Sequence, residues 1–196
     1  MHSVILYFGS FNPIHKGHLA VAEWILDRKV CDEVWFVVSP QNPLKRDGSL
    51  IDERDRLAMV DLAVAGSRYP QRMKACDVEF AMPRPSYTVD TLSVLDAEYP
   101  DREFALLVGS DIPGQIHRWK EWRKLLDCYK IYVYPRRGYP VPPEGSGFTL
   151  LDGAPFEDYS STEVRAALAE GGGSDMIPES VKEYIKQRQL WSTTMK

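Results

Sequence analysis

Val4-Ile5-Leu6-Tyr7-Phe8-Gly9-Ser10-Phe11-Asn12-Pro13-Ile14-His15-Lys16-Gly17-His18 is the stretch on which the reading of this chain turns. Residues 4–8 form a short apolar run, the mark of a buried strand. Gly9 stops the run, and a turn-rich loop leads straight into a helical pattern over residues 17–29. Strand, loop and helix in that order open a βαβ unit.

The alternation continues along the chain. Glu33–Val38 reads as a second strand and residues 52–65 as a helix, with Leu57, Val60, Leu62, Ala63 and Val64 at helical spacing. A weaker strand is expected over 73–80, a helix over 87–98 that stops before Pro100, and a strand over 103–108 that ends in Gly109. Residues 119–127 read as helix, 130–134 as strand, and 162–169 and 179–189 as two closing helices. The Pro/Gly-rich residues 136–147 read as a surface loop. The expected fold is α/β: a Rossmann-like, doubly wound parallel sheet in three α/β/α layers. One domain is expected over 1–196, with a C-terminal helical part at about 160–191. Ligands of such sheets bind beyond the carboxyl ends of the strands, so the loops after Phe8, Val38, Val108 and Tyr134 are where a site should lie.

Composition narrows the function classes. Of 196 residues, 44% are hydrophobic, enough for a core without disulfides or metals. The net charge of −4 lacks the basic surplus of a nucleic-acid binder. Cys31, Cys76 and Cys128 are far apart, without CxxC or zinc spacing, and read as reduced thiols. The apolar start is too short for a signal peptide, and no run approaches the ~20 apolar residues of a membrane span. A cytoplasmic protein without a membrane or nucleic-acid partner is expected; the sequence carries no signal for an oligomeric state.

The first loop carries the chemistry. His15 and His18 stand three apart at a helix start, where they can share one face. Gly17 leaves room for close approach of a ligand. The helix N-terminus offers free N–H groups and positive potential, a seat for phosphate. Histidines there can donate hydrogen bonds to phosphate oxygens as charge builds in a transition state.

This segment resembles the H-x-G-H signature of the nucleotidylyltransferase superfamily. The longer G-S-F-N-P-x-H-x-G-H string is similar to that of its nicotinate mononucleotide adenylyltransferase branch. Later motifs follow in the family's order. Pro40-Gln41-Asn42-Pro43-Leu44-Lys45 is similar to the family's P-x-x-N-P-H-K, with Leu44 in place of His and Lys45 matching a phosphate-contacting lysine. Arg56-Leu57-Ala58-Met59 matches R-x-x-M, although Arg56 reads as a surface helix charge and Met59 as core. Ser86-Tyr87-Thr88-Val89-Asp90-Thr91-Leu92 matches S-Y-T-x-D-T-L. Ser86 or Thr88 can cap that helix, and in the family its start lies against the pyridine ring's acid or amide, which gives Thr88 a binding role. Gly109-Ser110-Asp111 resembles the G-x-D that holds the adenosine part of ATP. Trp119 matches the tryptophan that stacks on the nicotinate ring, with Trp122 expected in the core. Arg136 and Arg137 resemble R-R-x-G-Y-P with one residue fewer, and either reach the substrate or face solvent. Tyr159-Ser160-Ser161-Thr162-Glu163-Val164-Arg165 resembles I-S-S-T-x-I-R; Ser160 and Glu163 have capping-box spacing, and Ser161, Thr162 and Arg165 would bind ATP phosphates.

The resemblance implies an enzyme that joins ATP and nicotinate mononucleotide, forming deamido-NAD and pyrophosphate. His15 and His18 would act on the α-phosphate, and Lys45 and Arg165 would hold the phosphates on either side. Gly9, Ser10, Phe11, Gly17 and Gly109 would be among the residues that bind ATP or the mononucleotide. Mg²⁺ would arrive on the β- and γ-phosphates of ATP rather than in a protein-built metal site. Rival acceptors are nicotinamide mononucleotide, flavin mononucleotide and phosphopantetheine. A non-catalytic nucleotide-binding module would have lost the reactive side chains, which this chain keeps.

Overall fold

The computed structural model describes residues 1–41, 50–155 and 159–191. Its strands are β1 (His2–Gly9), β2 (Glu33–Val38), β3 (Met73–Cys76), β4 (Arg102–Gly109), β5 (Ile131–Tyr134) and β6 (Phe148–Leu150). Its helices are α1 (Lys16–Asp27), α2 (Glu53–Ala65), α3 (Thr88–Glu98), α4 (Trp122–Cys128), α5 (Ser161–Ala169) and α6 (Glu179–Gln187). The strands form a sheet in the order β3-β2-β1-β4-β5-β6, every neighbouring pair parallel. This is the doubly wound order, and it reverses direction between β1 and β4.

Alternation along the strands sorts the two faces. Ile5, Tyr7, Val34, Phe36 and Val38 point to one face, where Ile25 of α1, Val60 of α2, Val164 of α5 and Val181 of α6 cover them. Val4, Leu6, Trp35 and Val37 point to the other and meet Leu92 and Leu95 of α3 and Leu125 of α4. The result is the expected three layers. No helix among the described residues is long and apolar enough to cross a membrane.

Three local expectations differ. The strand expected over 73–80 ends at Cys76, and Val78–Ala81 turns as a 3-10 helix. The helix expected from Trp119 begins at Trp122, because Glu121 adopts φ 50° and a 3-10 turn fills Pro113–Arg118 instead. β6 was not anticipated: three residues after the Pro/Gly-rich loop are too few to show a period.

Arg56, expected on the helix surface, is instead 1% exposed. Its guanidinium donates to the carbonyl oxygens of Ser10 (2.7 Å), Ser39 (2.7 Å), Pro40 (3.0 Å) and Ile51 (3.1 Å). One side chain thereby ties the loop after β1 to the loop after β2 and to the approach to α2. Met59 is buried as expected. Arg56→Lys keeps a charge but cannot reach four carbonyls with a fork of donors. It should cost about 2–4 kcal/mol in urea unfolding; a loss below ~0.5 kcal/mol, the size of an ordinary surface change, would show that the loops hold without this fork.

Candidate active site

A cavity of about 400 Å³ opens at the carboxyl ends of the strands, above the reversal between β1 and β4. All four loops expected to carry a site contribute to it, through Gly9, Ser39, Asp111 and Arg136. Gly9 and Gly109, the last residues of β1 and β4, flank the reversal.

At Gly9 a side chain is excluded by the ring of Phe11, whose Cζ would lie 2.8 Å from an added Cβ. Phe11 itself has φ 44°, an unusual conformation for a bulky residue, and is held by edge contacts with Tyr7, Phe36 and His18. At Gly109 an added Cβ would lie 2.2 Å from Cδ of Arg136 and 2.5 Å from Oδ1 of Asp111. Both glycines therefore make room for a neighbour that faces the cavity.

The loop after β1 delivers the histidines. Their rings stack with centroids 3.6 Å apart, as the three-residue spacing suggested. The His15 backbone N–H donates to Nδ1 of His18 at 3.2 Å, which places the proton of a neutral His18 ring on Nε2. Burial, and after it the Arg136 charge, push His15 down to about 3 against the opposing charge of Glu163. Burial, then the charges of His15 and Arg136, hold His18 well below its ordinary value. Both rings are thus neutral hydrogen-bonding groups near pH 7.

The start of α5 closes the cavity over this loop. Ser160 and Glu163 form the expected capping box. Ser161 Oγ donates to the Pro13 carbonyl at 2.9 Å, and Arg165 Nη1 to that of Asn12 at 2.8 Å. Ser161, Thr162 and Arg165 all line the cavity, so a helix N-terminus and a guanidinium converge there. Across from them Asp111 accepts a bond from Arg136 Nη1 at 3.2 Å. Of the two arginines left undecided by sequence, Arg136 is one that lines the cavity.

Ser10, Thr88 and Trp119 also line the cavity, while Gly17, inside α1, does not. Lys45 and Leu44 lie outside the described residues. Trp122 is half-buried beneath Arg123 rather than core; Leu125 takes the buried position of α4. Neither Ser86 nor Thr88 caps α3. Tyr87 is the N-cap residue, and Ser86 Oγ donates to Glu79 instead. Glu79 and Arg56 were not read as site-forming, since an isolated charge in a short turn or on a helix carries no periodic signal of burial.

Among the described residues, four buried side-chain polar atoms have no hydrogen-bond partner: His15 Nδ1, Asp111 Oδ1, Trp119 Nε1 and Trp191 Nε1. The first three belong to residues lining this one cavity. Buried polar groups are ordinarily bonded, so their convergence marks a place built for a polar ligand. Among the described residues no group of three or more His, Cys, Asp or Glu stands close enough to hold a metal ion.

Residues 6–167 match the family described as cytidylyltransferase-like. A "probable nicotinate-nucleotide adenylyltransferase" of Flavobacterium psychrophilum is 46% identical over 190 residues, covering 95% of this chain and 97% of that protein. One of Bacteroides thetaiotaomicron is 42% identical over 188 residues, covering 93% and 92%. The solved Plasmodium falciparum nicotinic acid mononucleotide adenylyltransferase complexed with NaAD superposes with a TM-score of 0.81 over 97% of this chain and 98% of that one. At 21% identity this is a likeness of fold.

The depressed His15 value has a consequence for stability. A histidine whose folded value lies below its unfolded value of about 6.5 takes up its proton on unfolding, so stability falls as pH drops from about 6.5 towards 3. One such proton contributes a slope of about 1.4 kcal/mol per pH unit inside that window. His15→Asn should flatten the urea-derived stability profile between about pH 4.5 and 6 by that amount. An unchanged slope would mean that the ring is already protonated in the fold.

Proposed function

Because the chain belongs to the nicotinate-nucleotide adenylyltransferase family, we propose that it transfers the adenylyl group of ATP to the phosphate of nicotinate mononucleotide, giving deamido-NAD and pyrophosphate. The observation that carries this reading is the convergence of unpartnered His15, Asp111 and Trp119 atoms on one cavity. They supply a phosphate partner, a ribose acceptor and an aromatic platform with a polar edge, the set a dinucleotide product requires.

The acceptor phosphate is already an anion at neutral pH and attacks the α-phosphorus in line, so no general base and no covalent enzyme intermediate is needed. Catalysis is then positioning and charge stabilisation. The Nε2–H of His18 and the ring of His15 serve the oxygens of the α-phosphate. Arg165 and the N-terminus of α5, with Ser161 and Thr162, hold the leaving pyrophosphate. Asp111 takes the adenosine ribose, its Oδ2 kept in place by Arg136. Trp119 stacks on the pyridine ring, beside Thr88. Lys45 belongs to this set by its motif and would follow the phosphates on its flexible stem. Mg²⁺ enters with ATP as the complexed substrate, on phosphate oxygens. The chain acts as one domain in the cytoplasm, with small nucleotides rather than nucleic acid as partners.

The test is pyrophosphate release by the full chain with Mg²⁺–ATP and, separately, nicotinate mononucleotide, its amide and phosphopantetheine. Fast release with the acid is expected. Preference for the amide or for phosphopantetheine would keep the mechanism and overturn the acceptor, and silence with all three would overturn the enzyme. In the same assay His18→Ala should lower kcat by about 10²–10³ with little change in either KM, as loss of a transition-state donor does; turnover within twofold of wild type would remove His18 from the chemistry.

A further inference from the structure

Glu79 is a buried acid that the proposed mechanism does not use. It is 2% exposed, lies in the 3-10 turn Val78–Ala81, and yet lines the cavity. Each of its carboxylate oxygens accepts one hydroxyl: Oε2 from Ser86 Oγ at 2.8 Å, and Oε1 from Thr91 Oγ1 at 2.8 Å. Those hydroxyls stand on either side of the start of α3, one before its first residue and one in its first turn. Among the described residues no cation forms an ion pair with Glu79. An acid buried on neutral donors alone is costly for a fold, and two well-placed hydroxyls offset only part of that cost.

The segment it grips has an unusual position. Ser86 and Tyr87 line the main cavity on one side and a second cavity, bordered by Phe80, Met82 and Pro85, on the other. The start of α3 is therefore a wall between two hollows, with less packing behind it than a helix end on a solid core. The Asp90 N–H already donates to the Tyr87 carbonyl at 2.9 Å, which leaves those of Thr88 and Val89 with no carbonyl one turn earlier; Thr88 faces the main cavity near Trp119 and Lys120. A small change in the tilt of this wall would swing those N–H groups relative to the indole.

We infer that Glu79 is a positioning residue for the mononucleotide: it clamps Ser86 and Thr91 so that the start of α3 presents its N–H groups to the ring-bearing end of the acceptor. The inference rests on the reading of this cavity as an adenylyltransferase site. The ATP end of the cavity, formed by Asp111, Arg136 and α5, makes no use of the clamp. Glu79 acts through the wall and not on the reacting atoms, so its loss should be felt as acceptor affinity and ring discrimination, with the phosphoryl chemistry preserved at saturation.

Steady-state kinetics of the full chain test this, with ATP against nicotinate mononucleotide and against its amide. Glu79→Ala should raise KM for nicotinate mononucleotide about tenfold or more, as the loss of a buried two-bond clamp predicts. KM for ATP should stay within about twofold and kcat within about threefold, and the acid-over-amide preference should fall. Glu79→Gln, which keeps the shape and one acceptor, should recover most of the loss. If Glu79→Ala fails to fold by circular dichroism, Ser86→Ala and Thr91→Val carry the test, each expected to raise the acceptor KM severalfold and leave the ATP KM alone. Equal rises in both KM values, a fall in kcat alone, no change, or no recovery with Gln would overturn the clamp. Wild-type protein that releases no pyrophosphate with nicotinate mononucleotide would sink the functional reading, and this inference with it, before any variant is compared.

Discussion

The guanidinium of Arg56, spread over four backbone carbonyls, is the contact on which the active-site loops depend. Loops at the end of a parallel sheet leave carbonyl groups that neither strand nor helix can bond, and burying them unbonded is costly. An apolar residue at position 56 would leave those four unsatisfied at once. A lysine would offer a single nitrogen for oxygens that lie in different directions. Burial pushes Arg56 down to about 10, still far above neutrality, so the positive charge persists and is answered by carbonyl dipoles rather than by a carboxylate. Held from below in this way, the loop after β1 can keep Phe11 in its left-handed conformation and bring the two histidines to the cavity.

A second constraint comes from the sheet. At the reversal between β1 and β4 the two central strands diverge in their connections, and a ligand can reach their carboxyl ends. Both strands end in glycine there, and in each case the missing side chain is replaced by another residue: the Phe11 ring at Gly9, the Asp111–Arg136 pair at Gly109. The glycines serve to let a functional side chain lie flat against the sheet's edge. Flexibility of the backbone is secondary, since neither has a positive φ.

The fold was legible because its signals are periodic. Apolar runs such as Glu33–Val38 and helical spacing over residues 52–65 survive in one dimension, and parallel topology follows from their alternation. Capping-box spacing at Ser160 and Glu163 was legible for the same reason, being a local rule with a fixed offset. What the sequence did not show has the opposite property. Arg56 and Glu79 are charges whose burial depends on partners 46 and 12 residues away, Ser10 and Thr91, and no window along the chain contains that information. Ser86 could cap a helix by type, but α3 begins one residue too late for it: Tyr87 takes the N-cap position, and the Ser86 hydroxyl donates to Glu79. Trp122 was expected in the core, but the left-handed Glu121 restarts the chain at α4 and gives the buried position to Leu125, which spacing from Trp119 could not foretell.

The electrostatics of the histidine pair follow from these placements. Two imidazolium rings stacked 3.6 Å apart under a nearby guanidinium would repel, and burial removes the water that would screen them. The permanent positive charge at the cavity is carried by Arg118, Lys120, Arg136 and Arg165, while the histidines wait as neutral groups. An anion arriving between them alters this balance: its negative charge favours the protonated ring and offsets the effect of the arginines. In the proposed reaction, positive charge would then grow at the histidines as negative charge gathers on the phosphate oxygens. A fixed cation at the same position would grip substrate and transition state alike, whereas a neutral donor poised in this way strengthens its interaction mainly as the reaction proceeds.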